Sequence, residues 1–134
     1  MTASKGYKSG GSGDGSRNRR GGNDGASLQR LIEEEGKRFP YYLLHGMETY
    51  ERDAVSGWLE NIIRPREAPD FNVSVFHGDS LDPQGVVDAY LAYPVMAAQR
   101  LIVIRNCEKL SADRCRALES LVKTPSDTSV VLAI

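Results

Sequence analysis

The residues best placed to do chemistry follow the apolar run Tyr41–Leu44, after which a glycine precedes a helical pattern. Gly46 can begin the phosphate-loop pattern GxxxxGK followed by Ser or Thr, in which backbone N–H groups and a lysine surround the phosphates of a nucleotide. Here Glu51, Arg52 and Asp53 occupy the positions of the second glycine, the lysine and the hydroxyl residue. Two carboxylates would repel the phosphates, and an aspartate offers no hydroxyl to a phosphate-bound magnesium ion. The stretch therefore has the shape of a nucleotide site without its chemistry.

A second position that a nucleotide enzyme needs is also unsuitable. An ATPase of this kind carries acidic residues after a buried strand, where they hold magnesium and activate water. Here the strongly apolar run Leu101–Ile104 is followed by Arg105 and Asn106. No nucleophile lies at a recognisable spacing from His45 or His77, so these read as ordinary turn histidines. We expect no ATP binding, no catalytic residue, no metal site and no cofactor.

The elements that position these residues alternate between strand and helix. Alternation of this kind predicts a P-loop-like three-layer α/β/α domain with a mainly parallel sheet. In such sheets function collects at the carboxyl ends of the strands. The predicted strands are Tyr41–Leu44, Phe71–Phe76, Leu101–Ile104 and Ser129–Ile134, and the predicted helices begin near Ser27, Tyr50, Asp82 and Ser111.

Residues 1–27 differ in composition from the rest of the chain. They contain eight of the 13 glycines and five serines, and they carry a net charge of +3 against −4 for the remainder. Such a segment cannot bury enough apolar surface to become ordered, so we expect a disordered basic tail before a folded domain over residues 28–134. Because the apolar run that ends at Ile134 has no turn residue after it, we also expect this domain to be incomplete.

Nothing in the sequence suggests export or a membrane. The start is polar rather than a charged end followed by an apolar run, and no stretch is apolar enough to span a bilayer, so the cytoplasm is the expected compartment. Cys107 and Cys115 fit neither a disulfide framework nor a zinc pattern. The helical pattern after Ser111 predicts that Cys115 is a core residue.

The connection Tyr93–Arg100 is unusual. After a helix that Pro94 should close, Val95 and Met96 place two large apolar side chains before the next strand. One interpretation packs them into the core. The other has them project as a plug for a partner's pocket, where each could contribute about 1.5 to 3 kcal/mol of binding free energy. The residue types alone leave both interpretations open.

Three segments, in order, resemble one protein family. They are YYLLHGMETYERDAVSGWL, DFNVSVFHGDSLDPQGVVDAYLAYPVMAAQRLIVIRNCEKLS and TSVVLAI. Together they resemble the N-terminal domain of the delta subunit of the bacterial DNA polymerase III clamp loader, over about residues 28–134. The resemblance implies an AAA+-like domain with a degenerate nucleotide site, followed in the family by a lid and a helical collar domain that this sequence does not contain.

The resemblance also implies a function without catalysis. In this family, delta is a non-catalytic subunit of the DNA polymerase complex that binds the beta sliding clamp and opens its ring for loading on primed DNA during replication. Its implied further partners are the gamma or tau and delta-prime subunits, through regions missing here, and DNA within the assembled complex. The alternatives are a nucleotide-binding ATPase of the P-loop type and another α/β enzyme.

The family's clamp-binding element also has a counterpart in this sequence. It is a short hydrophobic segment before the third strand that inserts into the clamp's peptide-binding pocket. Leu or Phe is often found at this plug, and Val95 is smaller. The matching residues are Val95 and Met96, flanked by Pro94, Ala97, Gln99 and Arg100.

Overall fold

The computed structural model describes residues 1–3 and 24–134, which form one parallel sheet with helices on both faces. The strands are β1 (Thr2–Ala3), β2 (Tyr41–Leu44), β3 (Val73–His77), β4 (Arg100–Arg105) and β5 (Ser129–Ala133). The helices are α1 (Gly25–Glu33), α2 (Thr49–Ile63), the single turn α3 (Pro69–Asn72), α4 (Pro83–Leu91) and α5 (Ala112–Lys123), with a 3-10 turn at Cys107–Lys109. The strand order is β1-β2-β5-β4-β3, and every pair is parallel. The predicted α/β fold class is therefore confirmed.

Strand β4 runs through the centre of two apolar cores. Leu101 and Val103 belong to the core that includes residues of α1 and α2, and Ile102 and Ile104 belong to the core that includes residues of α4 and α5. All four side chains are buried. A strand covered on both faces needs apolar residues at every position, which explains why this run is continuous rather than alternating.

The helix starts follow local capping rules. Asp82 caps α4 by accepting a hydrogen bond from the Gln84 amide, with Pro83 at the first helical position, and Ser111 caps α5 by accepting one from the Arg114 amide. Both starts were predicted. The cap of α1 is Asp24 rather than Ser27, whose amide donates to the Asp24 carboxylate at 2.8 Å. Hydrogen bonding by the side chain and the amide of Ser27 lowers the pKa of Asp24.

The expectation of disorder over residues 1–27 is wrong at both ends of that segment. Thr2 and Ala3 pair with β2, and the Leu43 amide donates to the Met1 carbonyl at 2.7 Å. Because this pairing uses backbone groups of an otherwise open sheet edge, composition does not predict it. At the other end, α1 begins at Gly25. The rest of the expected tail, residues 4–23, lies outside the described residues.

The second predicted strand, Phe71–Phe76, starts two residues too early. Ala68 adopts the left-handed conformation at φ 44°, and the amides of Phe71 and Asn72 both donate to its carbonyl. These contacts form the helical turn α3, so β3 begins only at Val73. As a result Asn72 lies at the end of a turn, where its side chain is fully buried.

One residue of helix α5 that the sequence assigns to the core is exposed. Leu118 and Leu121 are buried, but Cys115 is exposed. The prediction that Cys115 is a core residue is therefore wrong, because Cys115 lines an open apolar cavity beside Leu118 and Leu121 instead of being enclosed with them. In the described part of the chain, none of these helices has both the length and the apolar character needed to cross a bilayer.

Gly78 allows the carboxyl ends of β3 and β4 to lie side by side. Its amide donates to the Arg105 carbonyl at 2.8 Å. A Cβ at this position would lie 2.2 Å from the carbonyl oxygen of Asn106, which itself has the left-handed φ of 54°. Only glycine fits this close approach of two backbones.

We predict that Gly78→Ala lowers the free energy of unfolding by about 1 to 3 kcal/mol, because the new methyl group must displace backbone rather than a flexible side chain. Urea unfolding followed by circular dichroism measures this change. The matched control is Gly57→Ala in the interior of α2, where a Cβ meets no atom within 4 Å and helix propensity should raise stability by about 0.5 to 1 kcal/mol. Equal stability of Gly78→Ala and the parent chain would contradict the prediction.

Candidate functional site

The predicted nucleotide position lies at the carboxyl end of β2, and only residues 45–48 separate this strand from α2. Gly46 makes the turn at φ 68°. Glu51, Arg52 and Asp53 all lie within α2 rather than in a loop. The Arg52 amide donates to the Glu48 carbonyl at 2.9 Å, so this N–H already has a partner inside the helix. A backbone of this shape leaves fewer N–H groups for an anion than a long glycine-rich loop provides.

The charged side chains at this edge interact with one another. Arg105 Nη2 lies 2.8 Å from Glu60 Oε1, and Glu60 is mostly buried. Arg52 Nε lies 3.8 Å from Asp53 Oδ1. The carboxyl end of β4 therefore carries the Arg105–Glu60 ion pair with α2. A magnesium site at this position would require free carboxylates instead. Among residues 1–3 and 24–134, no group of three or more His, Cys, Asp and Glu side chains could hold a metal ion.

The other candidate is the loop between α4 and β4, which we call the plug loop (residues 92–99). Met96 is 86% exposed and Val95 is 42% exposed. The interpretation that both side chains fill the core is therefore wrong. Met96 also has φ 54°, in the left-handed region that favours glycine. An exposed methionine in such a conformation requires the surrounding structure to hold the backbone in place.

The side chain of Asn72 makes that contact. The Val95 amide donates to Asn72 Oδ1 at 2.7 Å, and Asn72 Nδ2 donates to the Val95 carbonyl at 2.6 Å. The same Nδ2 also lies 2.9 Å from the Glu67 carbonyl and 3.2 Å from the Ala68 carbonyl. Sequence reasoning missed this residue because it assigned Asn72 to a strand. The available signal was Pro69 three residues earlier, because a proline is common in the first turn of a helix.

The predicted flanking residues fall into two groups. Pro94 and Ala97 are half-buried beside the exposed pair. Gln99 is exposed, whereas Arg100 begins β4 and its amide donates to the Thr128 carbonyl at 2.8 Å. The carboxyl end of the plug loop is thus anchored in the sheet, and its middle is anchored by Asn72.

The two candidate sites lie at opposite ends of the parallel strands, one at the amino ends and the other at the carboxyl ends. The plug loop leads into the amino end of β4, whereas Arg105 and Asn106 lie at its carboxyl end. A six-residue strand separates these ends by roughly 20 Å. A ligand at one edge therefore leaves the other edge accessible.

The sequence is similar to a known protein. No protein-family model matches the sequence. The chain is 30% identical over 110 residues to the DNA polymerase III subunit delta of Bacillus subtilis, a match that covers 75% of this chain and 31% of that protein. This chain resembles a clamp-loader delta subunit. The resemblance stated from the sequence motifs is thereby confirmed.

Two solved structures share the fold of this chain. The Bacillus subtilis DNA clamp loader delta protein superposes with a TM-score of 0.70 at 23% identity, covering 81% of this chain and 34% of that one. A DNA polymerase III gamma subunit-related protein from Thermotoga maritima superposes with a TM-score of 0.61 at 18% identity, covering 81% and 38%. The chain therefore spans about a third of the length of these relatives.

Proposed function

We propose that this chain is the clamp-binding part of a clamp-loader delta subunit and acts in DNA replication. Val95 and Met96 insert into a pocket of a sliding clamp, and the rigid domain behind them serves to open the ring for loading on primed DNA. The observation that carries the proposal is the exposed Met96 at a fixed position of the plug loop, in a chain 30% identical to DNA polymerase III subunit delta.

The geometry of the plug loop supports this role. Burying an exposed aliphatic side chain contributes about 1.5 to 3 kcal/mol, and an unbranched thioether adapts to a pocket of imperfect shape. Association also costs several kcal/mol of lost translational and rotational freedom. Burial of Val95 and Met96 alone therefore favours a modest affinity for the clamp. Further contacts at the rim of the pocket come from the flanking residues Pro94, Ala97, Gln99 and Arg100.

The domain acts without handling ATP itself. The charges of Glu51 and Asp53 and the Arg105–Glu60 ion pair disfavour a magnesium-bound triphosphate at the carboxyl edge. ATP hydrolysis would come from the gamma or tau subunits, in a complex that also contains delta-prime and DNA. Contacts with those partners belong to parts of a delta subunit beyond the third that this chain matches, and the assembly works in the cytoplasm.

We predict that Val95→Asp and Met96→Asp each weaken binding to a bacterial sliding clamp at least tenfold, because each would bury an unpaired carboxylate in an apolar pocket, at a cost of about 1.4 kcal/mol or more. Binding to an immobilised clamp measures the affinities, and thermal unfolding of each variant should change little because both sites are exposed. The control is Tyr50→Asp, which changes an 88% exposed aromatic residue at the opposite edge and should bind like the parent. Binding unaltered by both plug variants would place the contact elsewhere.

We also predict that isothermal titration of the chain with magnesium-ATP gives no binding in the micromolar range. The physical reason is the repulsion between the phosphates and the acidic residues of α2, together with the loss of magnesium ligands after β4. An ATPase subunit of the same loader, titrated in the same buffer, is the positive control. A dissociation constant of micromolar order would overturn the proposal that this domain is inert toward nucleotide.

A further inference from the structure

We propose that Asn72 is the positioning residue of the plug loop, a role that rests on the proposed function. Its carboxamide is fully buried and makes contact with both main-chain groups of Val95. Asn72 does not itself touch the partner. It acts by fixing the backbone from which the Val95 and Met96 side chains project.

Both polar atoms of the carboxamide have hydrogen-bond partners. Its oxygen accepts from the Val95 amide, and its two N–H donors face the carbonyls of Val95, Glu67 and Ala68. Glu67 and Ala68 immediately precede the turn that contains Asn72, whereas Val95 lies 23 residues after Asn72. The side chain therefore ties the plug loop to the turn that precedes β3, and aspartate, leucine or alanine could not make the same set of bonds.

The backbone of the plug loop needs such a restraint. Met96 adopts a positive φ, which a non-glycine residue keeps only where neighbouring contacts determine the conformation. Val95 is the residue immediately before it, and both of its polar backbone groups are held by Asn72. Releasing Val95 would let the loop relax toward conformations in which Met96 points elsewhere.

Preorganisation links this restraint to affinity. A loop that already holds its bound conformation loses less conformational freedom when a partner binds. The clamp would then recognise the exposed apolar pair presented in one orientation rather than a flexible strand of the same sequence. Loss of Asn72 should weaken binding even though the apolar side chains remain.

The test uses the whole chain with Asn72→Ala and Asn72→Asp, the second of which keeps the shape but removes the donors. Amide hydrogen exchange should show Val95 losing protection in Asn72→Ala. Affinity for a bacterial sliding clamp should fall about tenfold or more in both variants. In a Met96→Ala background, Asn72→Ala should cause a several-fold smaller loss, because the two changes act through the same side chain.

Two control variants separate positioning from general stability. Leu28→Ala removes a buried side chain of α1 that makes no hydrogen bond to the plug loop or to Asn72, so it lowers the unfolding temperature and leaves those bonds in place. Asn61→Ala removes an exposed asparagine from α2. Both controls should bind the clamp like the parent chain at a temperature where all variants are folded.

The outcomes distinguish this inference from the function on which it rests. The positioning role is overturned if Asn72→Ala binds the clamp as tightly as Leu28→Ala does, or if the Val95 amide stays protected from hydrogen exchange in Asn72→Ala. In both cases the proposed function survives, provided that Val95→Asp and Met96→Asp still weaken clamp binding. Clamp binding that survives both Val95→Asp and Met96→Asp overturns the proposed function instead, and the Asn72 inference falls with it. The positioning role and the proposed function are both supported if the Asn72 variants lose affinity while the controls do not, and if this loss is smaller in the Met96→Ala background.

Discussion

The contact on which the site depends is the pair of hydrogen bonds between the buried Asn72 carboxamide and the main chain of Val95. A buried amide is costly unless all its polar atoms have partners, and here they do. The bonds fix the loop that leads into β4, where the next residue keeps an unfavourable positive φ. The exposed Met96 is thus part of an ordered surface rather than a loose connection.

The parallel sheet separates this surface from the edge where nucleotide chemistry is usually found. At the carboxyl end of β4, Arg105 is paired with Glu60, and Gly78 packs directly on the backbone of Asn106. At the amino end, the sheet is continuous with the plug loop through Arg100. A strand covered on both faces between the two ends is suited to transmit force from a bound partner, as the proposed opening of a clamp would require.

The sequence predicts the fold well where local rules decide it. The continuous apolar run of β4 and the caps at Asp82 and Ser111 depend on neighbours in the chain, and they form as predicted. Contacts between distant segments decide the rest. The bonds of Asn72 depend on a residue 23 positions away, and the pairing of Thr2–Ala3 depends on the edge strand β2 and on the core that buries Ala3. For the same reason, residue types alone could not decide whether Met96 is buried or exposed, although the family resemblance favoured exposure.

The most direct test of the account is a hydrogen-exchange footprint of the whole chain during titration with a bacterial sliding clamp. The account predicts new protection at residues 94–99, with the carboxyl edge at residues 45–53 and 105–106 unchanged. The roughly 20 Å between these edges makes the two patterns separable. Protection at the carboxyl edge with none in the plug loop, or no protection at any clamp concentration, would contradict it.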